Sequence, residues 1–272
     1  RDCIIKIQPF HNPIHEFSMV HNGNIQNVPY EKNDSQYIFE YIGRLLGEGL
    51  TMYKALQRTI MNIKGIYNII IQNQYGLYLM RDRFAVRPFY YGVKNDGVIV
   101  CGSETVAFGE DVRDVKEVNC GEIIYIGANR DISKCNNIKP KYIHKLYRLP
   151  LAHVNPSFCI FEYFYFMNHY SYVDDRSLYD IRYKLGARMA RNDIGKNADF
   201  TQENTIVVGS PNSGIAAGEG YAFFSGLNYY QCIHKRKDVG RTFILPTDKE
   251  RQEACKKGFE IVSRIINGKH LI

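Results

Sequence analysis

Apolar residues follow two different rhythms along the chain. From Phe17 to about Gly127 they come in short runs separated by polar turns, and from about Phe158 onward short apolar runs alternate with longer helical stripes. In the first half, "TMYKALQRTIMNIKG" places Met52, Ala55, Leu56, Thr59, Ile60 and Ile63 on one stripe, which predicts a helix stopped at Gly65. "YNIIIQNQYGLYLMRD" predicts two strands around a polar turn. "PFYYGVKNDGVIVCGSE" predicts a second hairpin with Asn95-Asp96-Gly97 at its tip, and "GEIIYIG" one more strand. The interval 131–157 carries Pro140, Pro150 and Pro156 with little periodicity, and reads as a linker wrapped on the surface.

The second half predicts a helix at "SLYDIRYKLGARMARN", a buried strand at "NTIVVGS" and a small-residue helix at "SGIAAGEGYAFFSG". "NYYQCI" reads as a strand, Thr247-Asp248-Lys249-Glu250 as a capping box opening another helix, and "GKHLI" as the start of a further strand. Strands alternating with helices imply a parallel α/β sheet. The expected organisation is a strand-rich α+β sandwich over 1–130, the linker 131–157, and an α/β domain over 158–272.

Composition narrows the classes. Hydrophobic residues make up 45% and charged residues 23% of the 272 residues, which are globular values. No apolar run approaches the ~18 residues of a membrane span, and "RDCIIKIQPF" has no signal-peptide layout. The seven cysteines are scattered without a Cys-x-x-Cys pair, a pattern of reduced intracellular thiols rather than of disulfides or a zinc site. A net charge of +7 suits an anionic ligand, a polyanion, or a mitochondrial or other organellar protein.

Three segments carry candidate chemistry. "HNGN", His21 to Asn24, is by local chemistry a tight turn, because Asn-Gly tolerates positive φ; the competing reading is a wall of a catalytic site. "VVGSPNSG" is a strand ending in the loop Ser210-Pro211-Asn212-Ser213-Gly214, which feeds a helix and offers free N–H groups to a phosphate or a ribose hydroxyl. "HKRKDVGRTFILPTDKERQ" gathers Lys235, Arg236, Lys237, Arg241 and Arg251 around one loop, a set suited to a polyphosphate or, as a plain alternative, to water.

Taken in order, "HNGN", "RDRFAVRPFYYG", "CGSET", "CGEI", "CIFEYFYF", "SPNSG" and "VGRTFI" resemble the amidophosphoribosyltransferase family, the glutamine phosphoribosylpyrophosphate (PRPP) amidotransferases of purine synthesis. The resemblance implies an N-terminal nucleophile (Ntn) glutaminase sandwich followed by a type I phosphoribosyltransferase-like parallel sheet. It implies that glutamine is hydrolysed in the first domain and that ammonia displaces pyrophosphate from PRPP in the second. By the same resemblance Asn22 and Gly23 form an oxyanion hole, and Asp34 holds the amino group of glutamine. Ser210, Asn212, Ser213, Gly214, Lys235 and Arg241 then contact PRPP; Arg182 also matches the family, but its place on a helix reads first as one half of a surface ion pair.

The family's nucleophile is an N-terminal cysteine whose own amine serves as base, whereas this chain opens at Arg1 and its nearest thiol, Cys3, reads as a buried one. By the same resemblance Ile272 falls inside the strand that should lead into the acidic PRPP motif, and none of that motif is present in these residues. Asn212 stands where the family usually has Asp, Gly258 where a lysine is expected, Ala85 where a glycine is expected, and "KRKD" replaces a Lys-Asn-Arg-Tyr run. The family uses Mg with PRPP, and some members hold an iron–sulfur cluster that Cys159 matches as a ligand; no cofactor is expected of this chain. The expectation is a catalytically degenerate protein that persists as a homo-oligomer or as a structural or accessory subunit of a larger assembly. The alternatives are an active amidotransferase seen in part, and a basic nucleic-acid-binding module, which no binding motif supports. The compartment implied is intracellular, cytoplasmic by family.

Overall fold

A computed structural model describes residues 7–29, 33–127, 143–194, 196, 200–236 and 242–272. The chain divides into two units, Arg1–Cys159 and Ile160–Ile272. Among the described residues no helix is long and apolar enough to cross a membrane.

The first unit is built on a six-stranded antiparallel sheet. Its strands are β1 (Phe10–Asn12), β2 (Phe17–Ile25), β3 (Gly65–Asn73), β4 (Gly76–Arg81), β8 (Glu122–Gly127) and β9 (Ile143–Arg148), in the order β1-β2-β3-β4-β8-β9. A smaller antiparallel sheet places β5 (Tyr90–Lys94) between β6 (Ile99–Gly102) and β7 (Val112–Glu117). Helices α1 (Asp34–Gly47) and α2 (Met52–Asn62) start where the Asn33 and Thr51 side chains accept the N–H groups of Gln36 and Lys54.

Side-chain alternation sorts the large sheet into two faces. Phe17, Met19, Tyr67, Ile69, Ile71 and Met80 pack with Ile38 and Ile42 of α1 and Leu56 and Ile60 of α2. Leu79, Ile124 and Ile126 pack on the other side with Phe89, Tyr91 and Val118. The unit is therefore a helix–sheet–sheet sandwich, as the hairpin rhythm predicts.

Three expectations change. Ile63 caps α2 in extended geometry, and Gly65 instead opens β3 with φ +144, where a Cβ would stand 2.4 Å from the carbonyl oxygen of Asn24. Ile143–Arg148 lies in the interval read as linker, yet it pairs with β8 as an edge strand, one ladder side of which needs no alternation. The Asn22-Gly23 pair lies inside β2, paired to Asn68 and Tyr67, and makes no turn. Nine residues of β3 pair with β2 through this point, and that long ladder overrides the local Asn-Gly preference.

In the second unit a single π-helical turn, Glu162–Phe166, precedes the short ribbon of β10 (Tyr172–Val173) and β11 (Arg176–Ser177). Helix α3 (Leu178–Asp193) follows, then β12 (Thr205–Val207), α4 (Ile215–Ser225) and β13 (Asn228–Tyr229). β14 (Ile233–Lys235), α5 (Asp248–Gly258), β15 (Phe259–Ile261), α6 (Ser263–Ile266) and β16 (His270–Leu271) complete it. β12 pairs in parallel with β13 and with β16, and β14 pairs antiparallel with β15. The segment expected as one strand, "NYYQCI", is split, because the Gln231 side chain donates to the carbonyls of Gly209 and Ile233 and turns the chain there. The capping box of Thr247 and Glu250 forms as predicted.

Helices α3 and α4 touch backbone to backbone. A Cβ on Gly186 would stand 1.8 Å from the Ala217 carbonyl oxygen, and one on Gly220 1.9 Å from that of Tyr183. The small-residue pattern of these helices is the seam between them.

Candidate functional site

The pairing of β2 and β3 aims the backbone of the "HNGN" segment. The Gln26 N–H donates to the Lys64 carbonyl at 2.8 Å, so even-numbered residues of this stretch face β3 with their backbone groups. Tyr67, opposite Gly23, turns its own backbone the other way. Its N–H donates to Asp82 Oδ2 at 3.1 Å, and its carbonyl accepts from the Asp82 N–H at 3.0 Å. Odd-numbered N–H groups of β2 therefore point away from β3. That of His21 donates to Gln8 Oε1 at 2.5 Å, and that of Ile25 to Asp34 Oδ2 at 3.3 Å. The Gly23 N–H stands between these two and has no partner among the described residues.

Glycine is required here by space. A Cβ on residue 23 would lie 2.0 Å from the Ile66 carbonyl oxygen, 2.7 Å from Tyr67 Cα and 2.9 Å from His21 Nε2. The adjacent Asn22 side chain is exposed and donates its amide to Ser103 Oγ at 3.3 Å. A side-chain amide and a backbone N–H on consecutive residues can converge on one oxygen that gains negative charge.

Behind them runs a polar network that no sequence motif marks. His21 is 8% exposed, and its Nδ1 lies 2.8 Å from Ser35 Oγ. Ser35 donates its N–H to Asp34 Oδ1 at 2.7 Å, and its Oγ lies 3.3 Å from the same oxygen. Gln8 Nε2 donates to the His21 carbonyl at 3.0 Å and to Ser35 Oγ at 3.3 Å. Burial pushes the His21 pKa down, and the Asp34 carboxylate opposes that in smaller measure. The signal in the sequence is position alone: His21 precedes Asn22, and Ser35 follows Asp34 in the first turn of α1.

The turn after β4 holds this strand pair in place. Asp82, fully buried, accepts the N–H groups of Phe84 at 2.6 Å and Ala85 at 3.1 Å besides that of Tyr67, and burial raises its pKa. Arg81 donates to the carbonyls of Arg87 and Val118 and pairs with Glu117 at 2.7 Å. Ala85 sits at φ +49.

Two thiols of this unit, Cys101 and Cys120, are not activated. Burial pushes Cys101 up to about 11 and also raises Cys120, whose Sγ–H donates to the Arg83 carbonyl at 2.7 Å. Cys3 lies outside the described residues.

In the second unit, Ser210, Asn212, Ser213 and Gly214 form the turn between β12 and α4. The Gly214 N–H donates to the Ser210 carbonyl at 2.8 Å, and α4 begins at Ile215 with no side-chain cap. Lys235 ends β14, and no hydrogen bond or ion pair joins it to this turn among the described residues. Arg241 and Lys237 lie outside the described residues. Two other cations of the basic segment are already paired, Arg236 with Glu260 at 2.7 Å and Arg251 with Asp248 at 2.5 Å. Arg182, for which a surface ion pair was expected, is 3% exposed and donates to the carbonyls of Tyr163 at 2.6 Å and Met167 at 2.7 Å. Its face of α3 covers the π-helical turn, so the arginine is a clamp on that turn's backbone. Cys159 is half-buried, and no group of three or more His, Cys, Asp or Glu side chains that could hold a metal occurs among the described residues.

Residues 2–110 match the glutamine amidotransferase domain family. Amidophosphoribosyltransferase of Methanothermobacter thermautotrophicus is 29% identical over 97% of this chain and 55% of its own length. That of Methanocaldococcus jannaschii is 26% identical over 94% of this chain and 56% of its own. The chloroplastic amidophosphoribosyltransferase of Vigna aconitifolia is 31% identical over 78% of this chain and 39% of its own length. The solved structure of glutamine PRPP amidotransferase from B. subtilis complexed with ADP and GMP has a TM-score of 0.72 at 24% identity, covering 98% of this chain and 57% of that one. A structure described as the allosteric regulatory enzyme of purine biosynthesis has a TM-score of 0.71 at 24% identity. The chain shares the fold of these two over nearly all its length, and it spans about half the length of the curated relatives it matches.

Proposed function

From a glutamine amidotransferase domain over residues 2–110 and a resemblance to amidophosphoribosyltransferases that covers nearly the whole chain, we propose that the first unit binds glutamine and stabilises the hydrolysis of its carboxamide. The observation that carries this is the Gly23 N–H, which points away from β3 without a partner among the described residues beside the exposed amide of Asn22. As a nucleophile adds to the carboxamide carbon, the carbonyl oxygen gains charge, and these two donors stabilise it. Asp34 keeps lone pairs beyond those used by Ser35 and Ile25, enough to receive the substrate's ammonium group.

The second unit, in the same reading, is a type I phosphoribosyltransferase-like domain. Its Ser210–Gly214 turn and uncapped α4 face the phosphates of PRPP, with Lys235 and Arg241 supplying charge. The resulting phosphoribosylamine would be the product of a first step of purine synthesis inside the cell, made by a homo-oligomer. The Mg that accompanies PRPP arrives with the substrate. Among the described residues Cys159 belongs to no group of His, Cys, Asp or Glu side chains that could hold an iron–sulfur cluster, and no step passes through one.

A second reading is an accessory or structural subunit in which the phosphoribosyl chemistry has lapsed. The ion pairs of Arg236 and Arg251 favour it, as does Asn212, where the family resemblance implies an aspartate. Isothermal titration separates the two. Glutamine binding that Asn22→Ala weakens supports the glutaminase reading, and its absence overturns it. PRPP binding weakened about tenfold by Lys235→Ala supports the transferase reading; no heat with PRPP leaves the accessory one.

A further inference from the structure

His21 Nε2 is a buried polar atom with no hydrogen-bond partner among the described residues, and it lies 2.9 Å from where a Cβ on Gly23 would be. An orphaned buried nitrogen costs stability unless a ligand or another group satisfies it. The network behind the ring decides which role that nitrogen has. The single Ser35 hydroxyl proton has two acceptors in reach, Asp34 Oδ1 at 3.3 Å and His21 Nδ1 at 2.8 Å. Giving it to Nδ1 would leave a buried N–H orphaned at Nε2, the rarer kind of unpaired group, which favours Asp34. Ser35 Oγ then has two lone pairs, one filled by Gln8 Nε2 and the other by His21 Nδ1–H. That assignment puts the ring proton on Nδ1 and leaves a bare, accepting Nε2. Burial keeps the ring neutral.

A carboxamide offers one accepting oxygen and one donating nitrogen. Gly23 N–H and the Asn22 amide are donors suited to the oxygen, and His21 Nε2 is an acceptor on the same strand. We propose that His21 is a specificity-determining, positioning residue whose Nε2 accepts a hydrogen bond from the carboxamide nitrogen of glutamine. The proposal rests on the glutamine reading of this site and deepens it. Glutamate, the hydrolysis product, presents a carboxylate oxygen to the same bare nitrogen. Two acceptors facing each other repel, so the site favours substrate and releases product. His21 holds the substrate's orientation and takes no proton from it.

The test uses the unmodified chain and two-bond ¹H–¹⁵N spectra of its imidazoles. The Nδ1–H tautomer is expected for His21 in the free protein. L-glutamine should move both the Gly23 amide and the His21 Nε2 resonance, and L-glutamate should bind at least tenfold more weakly. His21→Leu should reduce that preference to about twofold, while His21→Gln, which retains an accepting oxygen, should restore some of it. Glutamine that shifts the Gly23 amide but leaves His21 Nε2 unmoved overturns the proposal and leaves the glutaminase reading intact. Glutamine that shifts neither overturns both.

Discussion

Gly23 and Tyr67 face each other across β2 and β3 as a pair that exchanges no backbone hydrogen bond, with Tyr67 Cα only 2.7 Å from the place a Cβ on Gly23 would take. Tyr67 directs its N–H and carbonyl to Asp82 on the far side. That relationship frees the Gly23 N–H and forbids a side chain at the same residue.

Gly23→Ala should therefore fail twice. Overpacking against backbone costs about 1–3 kcal/mol, and the displaced strand no longer aims the N–H. Urea unfolding should show the loss of stability, and any glutamine hydrolysis should fall by about 10²–10³-fold as for a lost oxyanion donor. An alanine variant of unchanged stability would contradict the close approach.

Ala85 holds φ +49, a conformation that costs a residue with a Cβ about 1–2 kcal/mol. Glycine loses more backbone entropy on folding, which offsets some of that gain. Ala85→Gly is expected to stabilise the chain by about 0.5–1 kcal/mol, raising the thermal midpoint by a few degrees. A lowered midpoint would show that Asp82 and Arg81 impose no strain on the turn.

The α3–α4 seam predicts an opposite glycine effect. Gly186→Ala or Gly220→Ala must push the two helix backbones apart, costing about 1–3 kcal/mol or more. Hydrogen exchange should rise in both helices together, since neither packs without the other. Protection that drops in one helix alone would count against the seam.

His21 should couple stability to pH. Its folded pKa lies below the ordinary 6.5, so the unfolded chain takes up the proton first as pH falls. The stability this neutral ring carries is complete above about pH 6.5 and is lost as pH drops through the folded value, with a slope of at most ~1.4 kcal/mol per pH unit. Measured between pH 7 and 5, wild type should lose stability relative to His21→Gln. Parallel curves would show that His21 titrates as it does in an unfolded chain.

Elements set by contacts close along the chain are legible in the amino-acid sequence. The apolar stripe of α2, the hairpin of β3 and β4, the Asn-Asp-Gly tip between β5 and β6, and the capping box of α5 each depend on residues a few positions apart. So does the strand–turn–helix of β12 and α4. The motif residues Asn22, Gly23 and Asp34 are legible as a set by resemblance, and the fold brings them to one end of β2.

What the tertiary structure decided was everything carried by partners far along the chain. Asn-Gly reads as a turn until a nine-residue ladder with β3 holds it extended. Arg182 reads as a surface cation until the carbonyls of Tyr163 and Met167 bury it. Ile143–Arg148 reads as linker until β8 supplies the other half of its hydrogen bonds. His21 reads as the edge of a turn until Gln8 holds its backbone and Ser35 its Nδ1, leaving Nε2 without a partner among the described residues. Periodicity reports which face a residue turns inward, because that depends on the local backbone; what waits on that face depends on chain closure, which no local pattern encodes.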